Sequence, residues 1–467
     1  MNGKWSRFFA ASLTGLLTTT VALNAYADRR SSLAGNLLIT DQDDVYIYPQ
    51  LTLDHRNLVS FDYYPGGTVL GLGNTEESAA GLNDGANSMG GAGLLLFGQE
   101  NFAFGISTHR EDQYGATPNA FLGGGDVQLY GPGRLQAWGY MGFNGPISGG
   151  DQANQPAGDP SGAGPISVAE PLQLADILLG FKLAPAHSMG ARLSIGQHGR
   201  KTNVVTTGSD STVSWNTTVI DLVLGYSLRS SFDLDLNLEL GLAFLSNDFV
   251  TDQNSPNYAD SGSLAPSFSL SGRAMIPLQD QIKLGVLGLI HVNSSNVTNE
   301  FGTLPNSTTT ADSLSVSASN FFIETGAGPV YTLPDNTTIA AYGTLGFGSS
   351  SYDFNSGDEK YSTTSLMLPG FKLALEHWLT DWMAFRTGLT SRYYFAFQDR
   401  EFDDDNTPNI SESSNFYEFM WTVGVGFKLG NFELNGTVTT PFVTDGPAVL
   451  SGSQNSMFSL LNATYKF

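Results

Sequence analysis

Cysteine is absent from all 467 residues, which removes disulfide frameworks, thiolate metal sites and lipid attachment through a cysteine. Positive charge is scarce as well: 21 Lys and Arg stand against 44 Asp and Glu, a formal net charge of −23. Nucleic acid is excluded as a partner, because binding it needs clustered cations. The same balance favours cations or neutral solutes over anions. No apolar run after Ala27 is long enough to cross a bilayer as a helix. No His/Cys cluster, Gly-x-Ser-x-Gly element or glycine-rich phosphate loop occurs, so the sequence assigns no catalytic residue, no metal ligand and no cofactor. The chain reads as a non-enzyme. Of its histidines, His291 or His109 would have to meet a serine and an acid for a hydrolase to be built here.

What the chain does contain is alternation. Residues 232–244 place Phe232, Leu234, Leu236, Leu238, Leu240, Leu242 and Phe244 on one face of a strand, with Asp233, Asp235, Asn237 and Glu239 on the other. A period of two over that length describes a sheet with one apolar and one wet face. Soluble strands are mostly half as long, whereas a tilted strand spanning a bilayer needs about nine to eleven residues. A mean hydropathy near zero fits such alternation. The expected fold is all-β, a closed antiparallel transmembrane barrel.

The organisation follows from three kinds of segment. Residues 1–27 carry Lys4 and Arg7, an apolar run and then Ala25-Tyr26-Ala27, the layout of a secretory signal peptide. Residues 28–55 precede the first expected strand, 56–64, and the barrel occupies 56–467. Within it, short connections near 98–100, 185–187, 229–231, 277–281, 332–336, 379–381 and 429–431 interleave with longer polar segments. Those longer segments lie near 65–89, 110–171, 200–212, 249–263, 294–316, 352–362, 398–414 and 443–454. The interleaving predicts about 16 strands, bracketed by 14 and 18, with short periplasmic turns and long external loops. Residues 126–143 form either an extra hairpin or part of an external loop. The acidic run around Asp403, Asp404 and Asp405 reads as a solvated loop.

A Lys or Arg on the lipid face near the midplane costs about 2–4 kcal/mol, which turns strand charges inward. That rule lines the lumen with Asp176, Asp221, Asp233, Asp235 and Glu239 against Lys182, Arg192, Arg273, Lys372, Arg386 and Arg392. Opposed charges either tune a water-filled pore or pair across it and stiffen the wall. Asp233, Asp235 and Glu239 share one strand with no basic neighbour, and so need partners elsewhere or water.

The C-terminus, Tyr465-Lys466-Phe467, looks like the last strand of Gram-negative outer-membrane barrels. That resemblance gives Tyr465 and Phe467 the role of assembly signal, read by the barrel-assembly machinery. Residues 28–55 carry a Gly35-Asn36 turn, the acids Asp41, Asp43 and Asp44, and Pro49 ahead of the barrel. This arrangement resembles the N-terminal hatch of the FadL/TodX family of hydrophobic-compound transporters. Of that family's Asn-Pro-Ala element only Pro49 is kept, between Tyr48 and Gln50, and the family barrel has fourteen strands. The resemblance implies a plug and gated passage of apolar ligands. The sequence thus predicts an outer-membrane channel for passive uptake of small-molecule solutes, gated by residues 28–55, among outer-membrane lipid and lipopolysaccharide. The alternative is a closed-lumen structural or adhesive surface barrel.

Overall fold

The computed structural model describes residues 29–64, 90–109, 173–206, 209–251, 258–301, 313–354, 359–402, 409–438 and 458–467. The signal segment 1–27 and the segment 126–143 lie outside them. Sixteen antiparallel strands follow one another around a single closed barrel. They are β1 (Leu58–Tyr64), β2 (Gly90–Gly98), β3 (Phe102–His109), β4 (Gln173–Ala184), β5 (His187–Thr206), β6 (Ser209–Arg229), β7 (Asp233–Thr251) and β8 (Tyr258–Gln279). Then come β9 (Ile282–Phe301), β10 (Ser313–Thr332), β11 (Thr337–Phe354), β12 (Glu359–Thr380), β13 (Met383–Phe402), β14 (Ile410–Leu429), β15 (Phe432–Val438) and β16 (Phe458–Lys466). No helix among the described residues is long and apolar enough to cross a membrane.

The seven short connections fall where the turn chemistry placed them, and two of them use left-handed backbone at Asn336 (φ 61°) and Gly430 (φ 65°). The longer segments are corrected. Strands β5 to β14 run 18 to 22 residues each, about twice what a bilayer requires. Residues 200–206, 294–301 and 398–402, read from sequence as loop, continue their strands. The reason is that ladder hydrogen bonds are made by backbone alone. Runs of Ser, Thr and Asn support them without any apolar contrast that alternation could detect.

The barrel closes through β1 on β16, with Leu58 opposite Lys466 and Val59 opposite Tyr465. Leu236, Leu238 and Leu240 are exposed on the outer wall, as are Ile220, Leu222 and Leu224, Phe268 and Leu270, and Phe321 and Ile323. Between them Asp235, Asn237 and Glu239 are buried on the inner face. Such a belt of bare Leu, Ile and Phe is stable only against an apolar solvent, which for a barrel is lipid. Tyr465 and Phe467 both belong to the outer face, and the Phe467 ring lies 5.7 Å from that of Phe97.

Candidate functional site

The lumen is not empty. Residues 29–53 lie inside the barrel and touch strands around most of its circumference. A helical turn, Arg29–Ser32, leads into a reversal at Ala34 and Gly35, both with positive φ (53° and 66°). Glycine takes that conformation freely and alanine only under restraint. The restraint is visible, since the Ala34 N–H donates to Thr422 Oγ1 (3.1 Å) and its carbonyl accepts from Thr390 Oγ1 (3.4 Å). Asn36 then donates to the Ala340 carbonyl (3.2 Å) and accepts from the Leu38 N–H (3.0 Å). A second turn, Asp44–Ile47, and a 3-10 turn, Pro49–Leu53, bring the chain to β1. Asn237 on β7 donates to the Ile47 carbonyl (2.6 Å), and Gln50 donates to the Tyr226 carbonyl (3.1 Å). Every one of these wall partners lies on the half of its strand nearer the short turns.

Charge organises the contact. Both carboxylate oxygens of Asp44, which is wholly buried, are used: Oδ1 by Arg30, Oδ2 by Arg273 at 2.9 Å. Arg273 also binds Asp235 at 2.9 Å, and Asp235 binds Arg229 at 2.6 Å. The Arg273 guanidinium lies 5.1 Å from the centre of the Tyr48 ring and donates to the Leu37 carbonyl (2.8 Å). A second chain starts at Asp41, passes to Arg29 (3.4 Å), then to Glu376 (2.6 Å), Arg386 (2.6 Å) and Glu433 (3.7 Å). A third joins Asp221, Arg192 and Glu239 at 2.7 and 3.7 Å, with Arg192 donating also to the Tyr46 carbonyl. Burial alone would raise the Asp41 carboxyl, but the Arg29 and Arg30 guanidiniums hold it below the ordinary carboxylate range. Burial pushes His55, at the foot of the plug, down to about 4.

Two apolar clusters complete the fit. Val45, Tyr46, Ile47, Tyr48 and Leu51 pack on Leu58, Leu94, Leu96 and Leu178. Leu33, Leu38 and Ile39 pack on Met275, Val330, Ala340, Tyr342 and Ala374. The inner wall is therefore apolar in places, against the expectation of a uniformly wet inner face, because the plug rather than water covers it. At Gly190, Gly225, Gly285, Gly388 and Gly424 a β carbon would overlap Gln50, Leu38, Leu33–Ala34 or Ser32 of the plug. The wall is cut away where the plug meets it.

The residues singled out from sequence divide into two groups. Asp176, Asp221, Asp235, Glu239, Arg192, Arg273, Lys372, Arg386 and Arg392 are buried on the inner face. Lys182 and Asp233 are instead half-exposed at the short-turn rim, where they meet Glu100 (3.3 Å) and Lys283 (3.4 Å). The acids of β7 find their cations on β5, β6, β8 and β9, the first of the two alternatives of partners elsewhere or water. Asp41, Asp43, Asp44 and Pro49 are all buried within the plug. Sequence reasoning missed Arg29 and Arg30 as partners of those acids, and missed the wall glycines. Their signal was glycine at inward positions of otherwise bulky strands. His291 accepts or donates a 2.7 Å hydrogen bond with Ser269 directly across the ladder. Both are buried, so the pair is a cross-strand tie and offers a substrate no exposed atom.

No family model matches the sequence, and no curated protein does. Among solved structures, the ferric yersiniabactin uptake receptor FyuA from Yersinia pestis is 8% identical, with a TM-score of 0.30 over 81% of this chain and 70% of that one. The outer membrane transporter YddB from Escherichia coli is 9% identical, with a TM-score of 0.35 over 82% and 59%. The ferric citrate transporter FecA in its unliganded form gives 0.34 at 8% identity over 84% and 66%. At such scores the fold assignment rests on the closed ladder of this chain itself.

Proposed function

We propose that this chain is an outer-membrane transporter whose lumen is closed at the short-turn end by residues 29–53 and opens when that plug moves. The observation that carries the reading is the plug's attachment. It is one continuous segment, joined to the wall by side-chain and backbone hydrogen bonds and ion pairs, with no covalent link beyond β1. Buried ion pairs give little net stability over apolar packing of the same volume, so a filler meant only to stiffen the wall has no need of them. Noncovalent charge contacts suit a part that must also come away. Export by residues 1–27 and insertion through a terminal signal at Tyr465 and Phe467 belong to the same reading. So does passive movement of small solutes, apolar ones included, as the hatch-like N-terminus implies.

The test is deletion of residues 29–53 in the full chain, with single-channel recording in a planar bilayer. A transporter of this kind is silent or rarely open as the whole protein and steadily conducting without the segment. Unchanged conductance from a folded, heat-modifiable barrel would remove the plug from the mechanism. A second reading, a closed structural or adhesive surface barrel, draws on the close fit at the wall glycines. It requires the deleted variant to collapse or to stay shut.

A further inference from the structure

The first inward positions beyond the plug on β9 and β10 form a surface of their own. Leu287 still packs against the plug cluster. The next pair in register is Leu289 opposite Glu324, and the one after is His291 opposite Phe322. On the other flank Glu324 faces Gly346 and Phe322 faces Gly348, both on inward positions of β11. Both glycines are buried, and Met367 of β12 covers Gly346, 2.8 Å from where a β carbon would stand, so its side chain lines the wall beside Glu324. Leu289, Phe322 and Glu324 are partly exposed, whereas the inward charges nearer the plug are buried.

Glu324 differs from the other inner-wall acids. Asp221, Asp235, Glu239 and Glu376 are in ion pairs, and Asp176 accepts from Ser107 and Ser194. Among the described residues Glu324 makes neither an ion pair nor a hydrogen bond. Lys372 on β12 and Arg392 on β13 are buried, and neither forms an ion pair with Glu324. A carboxylate held half out of water beside Leu289, Phe322 and Met367 is complementary to one chemistry, a positive charge carried on an apolar body.

We propose that Glu324, Leu289 and Phe322 form a binding site for a small organic cation, an ammonium bearing an apolar group. The carboxylate takes the charge, and Leu289 and Phe322 supply apolar surface for the group that carries it. The chain's net charge of −23 concentrates such cations at its mouth. The site deepens the transport reading and rests on it in one respect: the ligand reaches Glu324 from the long-loop end of the lumen.

The test is calorimetric titration of the full chain, folded in a non-ionic detergent, with benzyltrimethylammonium, benzyl alcohol and phenylacetate. The intact protein binds the ammonium more tightly than the alcohol and leaves the phenylacetate unbound. Glu324→Gln weakens the ammonium about tenfold, the loss of about 1.4 kcal/mol, and leaves the alcohol unchanged. Leu289→Ala weakens both a few-fold, which separates a lined site from a lone charge. Equal ammonium binding by Glu324→Gln, or no preference for it in the intact protein, overturns the proposal. Heat-modifiable mobility on a gel shows that each variant is folded. Binding with these preferences alongside a plug deletion that stays silent keeps the site and removes the transport reading, so the two fail separately.

Discussion

Replacing Asp44 by Ala removes the shared counter-charge of two buried guanidiniums, Arg30 and Arg273. Arg273 keeps Asp235, so the loss is not total at that residue. Breaking a buried ion pair at one partner costs about 3–5 kcal/mol. In the displaced plug both arginines meet water, so the cost falls on the docked state alone. At about 1.4 kcal/mol per factor of ten, the docked-to-displaced ratio falls by between about a hundredfold and a few thousandfold. Single-channel recording reads this ratio as the fraction of time open. Asp44→Asn keeps the shape and removes only the charge, and should give a smaller rise. The control is Asp233→Asn, whose partner Lys283 lies with it at the exposed rim and whose loss costs at most about 1 kcal/mol. Raising salt should leave the Asp44 effect in place, since buried charges are weakly screened. An Asp44→Ala channel that opens no more often than Asp233→Asn would refute the reasoning.

Gly388→Val forces a side chain into the Leu33–Ala34 backbone. Overpacking of this kind costs about 1–3 kcal/mol, and recording should show more openings with the barrel's heat-modifiable mobility retained. Acidification should loosen the plug through His55, which takes up a proton near 6.5 when free and only near 4 when docked. A group whose folded value is depressed stabilises the docked state above that window and stops doing so as pH falls through it. Open time should therefore rise between about pH 6.5 and 4, and His55→Gln should flatten the rise. Removing Phe467 deletes an exposed ring that meets Phe97 beside the closing seam, and also the N–H that donates to the Asn57 carbonyl (2.9 Å). The fraction of protein reaching the heat-modifiable form should drop in a pulse-chase of membrane insertion.

The wall was legible because Leu234 to Leu240 alternate with charged or amide residues, and a period of two survives any tertiary context. The turns were legible because they break that period. Strand ends were not: from Ser294 to Glu300 both faces are polar or small, so nothing marks where the lipid stops and the strand goes on. The plug could be suspected from its length and its acids, but not its partners. Arg29 and Glu376 lie 347 positions apart, and Asp44 and Arg273 lie 229 apart, so their meeting depends on where the closed barrel brings each strand past the plug. The wall glycines could have been found, since Gly190, Gly225 and Gly388 occupy inward positions of strands that also turn Arg192, Asp221 and Arg386 inward. Read one strand at a time, they pass for weak points of a sheet.

Gln42 has a consequence that concerns how the molecule is made. Its side-chain amide donates at 3.0 Å both to Ser60 on the first strand and to Thr464 on the last. Those strands are separated by 404 positions, and they must find each other for the wall to close. Bringing the ends of so long a chain together costs about 5 kcal/mol in entropy. A segment that precedes β1 and already carries a contact for β16 is a jig for that step: it presents the finishing strand with a partner before the seam is zipped. Gln42→Ala should then slow closure while leaving the finished barrel nearly as stable, and the order of events in biogenesis would be written into the lumen before the lumen exists.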